Sequence, residues 1–577
     1  MKTILLSSLF FLFILLSTAF SQISRDTLNV NNIRAIFKAN GSHFYTTGSS
    51  PDFEFPKNSG KSPLSFLGLW ISGQTFLGQN LVSAPLYDLA GNEYLPGLIA
   101  NDTNYNLLHF NKMWKITRSQ IQYHLANSGI PGYTPPASIT TWPVHNFANG
   151  ITPLPQLAPF VDVNNDSVYN PLTGDYPQMF GDEMLYYIFN DNTLHPQTQS
   201  SPMGLEIEGF AWAYNTPSDS ALWNTIFMKY VVHNRSTSTY ANTYFSLFTD
   251  FNIGYAFDDY IGCDVQRSTF YGYNATPIDH GSSSISYDSL PVAQGITILQ
   301  GPLMDPDFHD NPFMDYSQKR ICDASVNGSK FGDSIIDNEC FGLTGFKYYT
   351  SPQGYYPTNP LSTSQIINYM QNISVNPAFT YGGDGSNPSN VSARFMFPGN
   401  SDTLNWGTNC TAPPNQTNWT ESTAGNLPGD RKCIETMGPL VLKPGQRIEI
   451  NLALISARAS NYFQDPIPIL LERVDKIKLF YKNNPGNFTI QPLAISNPKP
   501  SPIINTYPNP AQNKLWIKGL DKFSKVSYRI VNIIGEVIET GQLQNYEPIS
   551  LVNLKTGLYF IQLIIDDQKY TTKFIKY

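Results

Sequence analysis

The sequence predicts a mainly β protein, a large β-rich body followed by a small C-terminal β-sandwich, and three observations carry that prediction. Charged residues make up only 14% of the 577-residue chain while aromatics also reach 14%, with 43 Pro and 40 Gly. Average globular chains are about 25% charged, so this one is built to bury rings in sheets joined by rigid turns. Its apolar runs are short, β-branched and aromatic, and they end on Gly, Asn, Asp or Lys, the strand-and-turn rhythm of sandwiches. No fixed-period repeat occurs, which argues against a solenoid or a propeller of like blades. The formal net charge of −8 is spread thinly and leaves no basic face for nucleic acid. An acidic balance with many loop aspartates favours divalent cations over phosphates as partners.

Residues 1–21 read as a signal peptide. Lys2 precedes an apolar run from Ile4 to Leu16, and Ala19-Phe20-Ser21 satisfies the small-x-small rule, placing the mature start at Gln22. The run is shorter than the ~20 apolar residues a bilayer span takes, so export through the periplasm is expected, with no transmembrane span. The body, residues 22–495, has room for two subdomains. Leu28–Phe37 alternates like a strand, and Phe66–Gly73 reads as a buried strand closing on a turn. A poorly capped helical segment is expected around Asn111–Ala126, then a long surface connection over the proline-dense run 131–159. Arg447–Arg458 alternates and then turns apolar, as a strand entering a core would. Asp465-Pro466 next offers an N-cap and an N1 proline to a helix reaching about Asn483. Its Ile467, Leu470, Leu471, Val474 and Ile477 share one face, and Asn484-Pro485-Gly486 stops it. Residues 496–504 are a semi-rigid Pro-rich linker.

The tail spans 505–577. The prolines of Tyr507-Pro508-Asn509-Pro510 withhold backbone donors and make an extended entry. Lys514–Lys518, Val526–Ile533, Glu536–Thr540, Pro548–Leu551, Gly557–Ile565 and Tyr570–Ile575 then read as strands. Ile534-Gly535-Glu536 and Asp566-Asp567-Gln568 would be hairpin turns. Tyr507 to Pro510, Ile530 to Val537, Leu551 to Ile561 and Lys573 to Lys576, in that order, resemble the type A C-terminal sorting domain of type IX secretion cargo in the Bacteroidota. The resemblance implies an immunoglobulin-like sandwich read by the type IX translocon and sorting machinery and then cleaved, with the cargo released or attached to surface lipopolysaccharide. The motif residues it marks are Pro508, Asn509, Pro510, Gly535, Gly557, Tyr559, Lys573 and Lys576. Through pieces such as Trp142-Pro143-Val144-His145, Gly174-Asp175-Tyr176-Pro177 and Gly438-Pro439-Leu440, the body is similar to an uncharacterised family of large secreted proteins of the same bacteria, a resemblance that brings no activity with it.

In the body, Asp162, Asn164 and Asp166 put oxygen side chains at positions 1, 3 and 5 of a loop that opens like a calcium site, with Asp175, or Asp182 together with Glu183, to complete the shell. Ser167 stands at position 6 where glycine is expected, and Thr173 at position 12 where a bidentate glutamate belongs. The competing reading has these side chains capping turns through their own backbone. A weaker cation candidate is the set Asp250, Asp258, Asp259 and Asp264, whose crowding calls for water, protons or a cation. Calcium is the one cofactor implied. The same acids are the only basis for a glycan- or protein-degrading hydrolase, whose carboxylate pair needs a set separation. H-E-x-x-H and G-x-S-x-G are absent, so the residues lean toward a non-enzymatic binding, adhesion or structural body with a glycan ligand. Sequence proximity in an oxidising compartment suggests disulfides Cys322 to Cys340 and Cys410 to Cys433, with Cys263 left as a buried apolar thiol. The eight histidines are scattered and read as structural.

Overall fold

The computed structural model describes residues 22–45, 50–87, 92–99, 108–144, 157–282, 284–310, 327–351, 357, 359–360, 362–371, 379–386, 391–413, 418–490, 505–518, 526–533, 536–543, 547–565 and 568–577. The signal peptide, the linker, Gly535 and Cys322 lie outside them. The chain divides into two compact units, a body running to Gln491 and a tail from Pro492.

Two antiparallel sheets share the core of the body. The larger has nine strands, in the order Asp259–Asp264, Thr269–Asn274, Val292–Gln300, Arg447–Arg458, Thr225–Asn234, Leu205–Ala213, Glu183–Asn190 and Leu95–Pro96, with Trp114–Thr117 also pairing on Glu183–Asn190. The smaller has five, Gly345–Ser351, Asp430–Leu442, Tyr240–Phe251, Leu64–Gln74 and Asn80–Ser83. Alternate side chains point inward: Tyr187, Phe189, Met228, Tyr230, Ile450 and Leu452 from one sheet meet Leu67, Leu69, Ile71, Phe245 and Leu247 from the other in a single cluster. The outer face of the larger sheet is covered too. Trp212, Phe227, Phe480 and Phe488 interlock there with ring centroids 5.3 to 6.2 Å apart, and the helix Ile467–Asn483 buries Leu470, Val474 and Ile477. It lies so close that a Cβ on Gly295 would stand 3.1 Å from Leu470. Two covered faces explain why these strands read as continuous apolar runs.

Leu64–Gln74, Arg447–Arg458 and the late helix form as expected. The segment expected to be helical from Asn111 is a strand first, Trp114–Thr117, and only Arg118–Asn127 is helix. Pairing of Trp114–Thr117 with Glu183–Tyr186 overrides local propensity. The helix is also well capped: Thr117 and Gln120 exchange side-chain and backbone hydrogen bonds as a capping box. Leu28–Phe37 is not one strand. Arg25–Leu28 and Arg34–Lys38 fold back on each other antiparallel. The proline-dense connection holds a short helix, Ala137–Thr140, and is anchored by buried Trp142 and Val144.

The tail has two sheets, one of Asn505–Tyr507, Lys514–Lys518 and Ile549–Ser550, the other of Val537–Leu543, Val526–Asn532, Gly557–Ile565 and Gln568–Lys576. Leu515, Ile530, Ile549, Leu551, Ile561, Leu563 and Phe574 close its core, as a small sandwich requires. Among the described residues no helix is long and apolar enough to cross a membrane.

Candidate functional site

The tail motif is a clasp. Asn509 Nδ2 donates to the Lys573 carbonyl at 3.1 Å and its Oδ1 accepts from the Ile575 N–H at 2.9 Å, so one amide side chain pairs like a strand residue with the outer edge of the last strand. Ala511 continues the contact, donating to the Ile575 carbonyl at 2.7 Å and accepting from Tyr577 N–H at 3.0 Å. The flanking Pro508 and Pro510 offer no N–H to compete. Tyr559 stacks on Phe574 at 5.7 Å and donates to the Lys555 carbonyl at 3.0 Å. Gly557 opens the strand that carries it. Lys573 is exposed and Lys576 buried, its ammonium on the Tyr577 carbonyl.

A cleft of about 560 Å³ opens at one end of the body, where the turn Ala256–Asp258, the end of Gly345–Ser351 and the start of Asp430–Leu442 meet the loop after residue 421. Phe257 and Leu427 stand on its rim, and Tyr348, Thr350, Asp384, Asn426 and Arg431 line it. Phe257 is 55% exposed and pairs with Tyr255, ring centroids 5.6 Å apart. Beneath the cleft lies a buried ion pair. Arg431 Nη2 donates to Glu421 Oε2 at 3.0 Å and its Nε to the same oxygen at 3.2 Å, and the guanidinium stacks 5.8 Å from the Tyr348 ring. Glu421 also accepts the Ile261 N–H at 2.9 Å. Burial pushes the Glu421 carboxyl up and Arg431 pulls it back. Tyr348 Oη donates to the Asp384 carbonyl at 2.9 Å, fixing that wall.

The acids expected to form the weaker cation set are not brought to one point. Asp250 accepts from Lys432 Nζ at 2.9 Å and from Tyr87 Oη at 2.8 Å, while Asp264 accepts from Arg267 Nη1 at 2.7 Å. Asp258 and Asp259 alone stay together, at the start of the edge strand. Burial raises both carboxyls, Asp259 well above the usual range, and it lifts nearby Asp279 to about 6. Asp162, Asp166 and Asp175 each present a carboxylate oxygen within 4.8 Å of the others. Their oxygens also take local N–H groups: Ser167 on Asp162 at 2.7 Å, Val168 on Asp166 at 2.7 Å and Asn170 on Asp175 at 2.9 Å. Asn164 Nδ2 donates to Asp166 at 2.8 Å. Ser167 holds φ of 63°, the left-handed conformation for which a glycine was expected.

Neither expected disulfide forms, because Cys340 and Cys433 are free buried thiols, as is Cys263. Cys433 sits mid-strand opposite Thr249 and Tyr348, far inside the sheet, whereas Cys410 follows an exposed turn and is itself disulfide-bonded. Burial pushes the Cys263 and Cys433 thiols well up. The histidines His43, His124, His195 and His233 serve packing, each hydrogen-bonded: His43 to Tyr187 at 2.9 Å, His195 to the Val82 and Asp191 carbonyls. Phe257, Tyr348, Asp384, Glu421 and Arg431 were not anticipated from sequence. The one signal was Arg431-Lys432 and Glu435 inside an otherwise apolar strand, since buried charges demand partners.

A family model described as a secretion system C-terminal sorting domain matches residues 505–577. No curated protein sequence matches the chain. Among solved structures a polysaccharide lyase is similar at 7% identity over 73% of this chain, with a TM-score of 0.18. The chain spans 40% of that structure's length, and a likeness this slight carries no argument. The tail marks the chain for type IX secretion, contact with the secretion machinery, and a place at the cell surface or outside the cell.

Proposed function

We propose that the body is a non-catalytic carbohydrate-binding unit displayed by type IX secretion. The observation that carries this reading is the cleft. An exposed ring on the rim suits the C–H face of a sugar, and Thr350, Asp384 and Asn426 supply the few polar groups that orient a ligand in such sites. The nearby carboxylates are engaged: Glu421 with Arg431, Asp250 with Lys432 and Tyr87. A glycan array on the mature protein, with purified lipopolysaccharide among its ligands, followed by titration calorimetry of the best binder, tests the reading. Phe257→Ala should weaken binding about 5- to 100-fold, the size of a lost aromatic stacking contact of about 1–3 kcal/mol. Unchanged affinity would place the ligand elsewhere.

Calcium belongs to the same reading, held by Asp162, Asn164, Asp166 and Asp175. What supports it is the gathered carboxylates and the left-handed Ser167. Asp162→Ala with Asp166→Ala should remove that share of any calcium-dependent rise in melting temperature. The alternative is a secreted hydrolase that draws on the acids around Asp258, Asp259 and Asp279. Release of reducing ends from a bound glycan, lost in Asp279→Asn, would put it first.

A further inference from the structure

Four buried side-chain oxygens without a protein donor lie on the segment after Phe251 and on the strand Thr269–Asn274 that its continuation pairs with: Asn252 Oδ1, Asp258 Oδ1, Asp259 Oδ1 and Asn274 Oδ1. Backbone contacts link the residues that carry them. Ile253 N–H donates to Asp259 Oδ2 at 2.9 Å, which ties the Asn252 end to Asp259. Asp259 and Asn274 are direct partners across the antiparallel pair, so their side chains stand on the same face. Ala275 N–H donates to the Asp258 carbonyl at 2.9 Å, and His280 N–H to Asp258 Oδ2 at 2.7 Å. Asp259, Asn274 and Asp258 are 1%, 7% and 8% exposed.

The amide orientations are settled by what their nitrogens do. Asn274 Nδ2 donates to the Thr276 and Ile278 carbonyls at 2.6 and 2.8 Å. Asn252 Nδ2 donates to Ser65 Oγ at 2.8 Å. Both amide oxygens are therefore left without a donor. A single buried acceptor left so is costly, and four in one neighbourhood call for one shared electropositive partner.

We propose that this partner is a divalent cation of the calcium type, held inside the body by Asp258 and Asp259 with the amide oxygens of Asn252 and Asn274. The donor set is all hard oxygen, with neither imidazole nor thiolate, which selects calcium over zinc or copper. The surrounding charge is mostly acidic, with His280 acting on Asp258 and Lys61 on Asp279 in the opposite sense. Asp279 and Asp430 add to the negative field around Asp259, and Lys432, the nearest lysine of that strand, is already committed to Asp250 and Asp430. The cation would lock the segment whose Phe257 forms the cleft rim. The site needs no ligand in the cleft, so it stands or falls independently of the glycan reading.

The test uses the mature full chain carrying Asp162→Ala and Asp166→Ala, which silences the exposed loop. After treatment with EDTA and readdition of calcium, mass spectrometry of the desalted protein should find about one calcium per chain, with water completing the six to eight oxygens such an ion takes. Terbium should luminesce on excitation of the adjacent Tyr255 and Tyr260. Adding Asp259→Asn, which keeps the shape and the bond from Ile253, should weaken terbium binding about 10- to 100-fold. Should that variant not fold, Asp258→Asn in the same background provides the same comparison. The proposal is overturned if the loop-silenced parent takes up neither calcium nor terbium at millimolar concentration, or if both Asn variants bind as it does. Retained stability with no metal bound would assign the four oxygens to water or shared protons instead.

Discussion

Lys347 offers the sharpest quantitative test of the fold. Its ammonium lies fully buried in the strand Gly345–Ser351, donating to the Ala393 carbonyl and facing the Phe379 ring at 5.0 Å. Burial, with the like charge of Arg394, drives its pKa from 10.5 down to about 7. At ~1.4 kcal/mol per pH unit, a protonated Lys347 costs the native state about 4 to 5 kcal/mol. The sign follows from proton counts. Between pH 7 and 10.5 the unfolded chain holds a proton on this lysine that the native state has released, so native stability rises with pH across that window and its lysine contribution is flat below it. Lys347→Met removes this dependence. At pH 7 the gain is offset by leaving the Ala393 carbonyl without its donor, about 1–3 kcal/mol, for a net stabilisation of roughly 1–3 kcal/mol. A body of this size unfolds with an entropy near 1 kcal/mol/K, so the variant should melt about 1–3 °C higher at pH 7. It should lose about 4 °C relative to the parent as the pH is raised to 10. Paired differential scanning calorimetry at pH 7, 8.5 and 10 measures the difference. A melting-temperature gap that stays constant over that range would refute the assignment of a depressed lysine.

Glu435 is the acidic counterpart: fully buried and accepting from Thr249 Oγ1 at 3.4 Å, its carboxyl is held well above 4.5 by burial. The native state keeps a proton the unfolded chain loses as pH rises past that value, so Glu435→Gln should match the parent near pH 4 and be the more stable at pH 8 in urea melts. Arg431→Met should cost about 3–5 kcal/mol by stranding Glu421. Adding Glu421→Leu should recover most of that loss, and a double-mutant cycle in urea checks it. Asn509→Ala removes two hydrogen bonds from the tail clasp, worth about 1–2 kcal/mol at an exposed site. Immunoblots of the culture supernatant and cell surface should show less exported protein, with the cargo held in the periplasm.

What could be read from the sequence was local, and what could not depended on strands meeting. The tail strands announced themselves because each is a short run between its own turn residues, and Lys514–Lys518 and Gly557–Ile565 fall where the pattern put them. The opening of the Asp162 loop was visible for the same reason, and Ser167 proved a smaller departure than its side chain suggested, since it adopts the conformation of the glycine it replaces. The disulfides failed on the opposite ground. A bridge needs Cα atoms about 4.4–6.8 Å apart, and nearness in sequence says little about that when Cys433 lies in the middle of a strand and Cys410 in an exposed loop. The cleft draws Phe257, Tyr348, Asp384 and Arg431 from separate stretches of chain, so no window of sequence contains it. The crowded acids after Asp250 show most clearly what register adds. As a string they looked like one cluster. The structure sends Asp250 to Lys432 and Asp264 to Arg267, and the strand pairing sets Asp259 opposite Asn274, an amide no charge count would have noticed. Charge density thus located the neighbourhood, while strand register placed Asp259 opposite Asn274. A sequence reading that weighed buried amides as heavily as carboxylates would have come closer to that pairing.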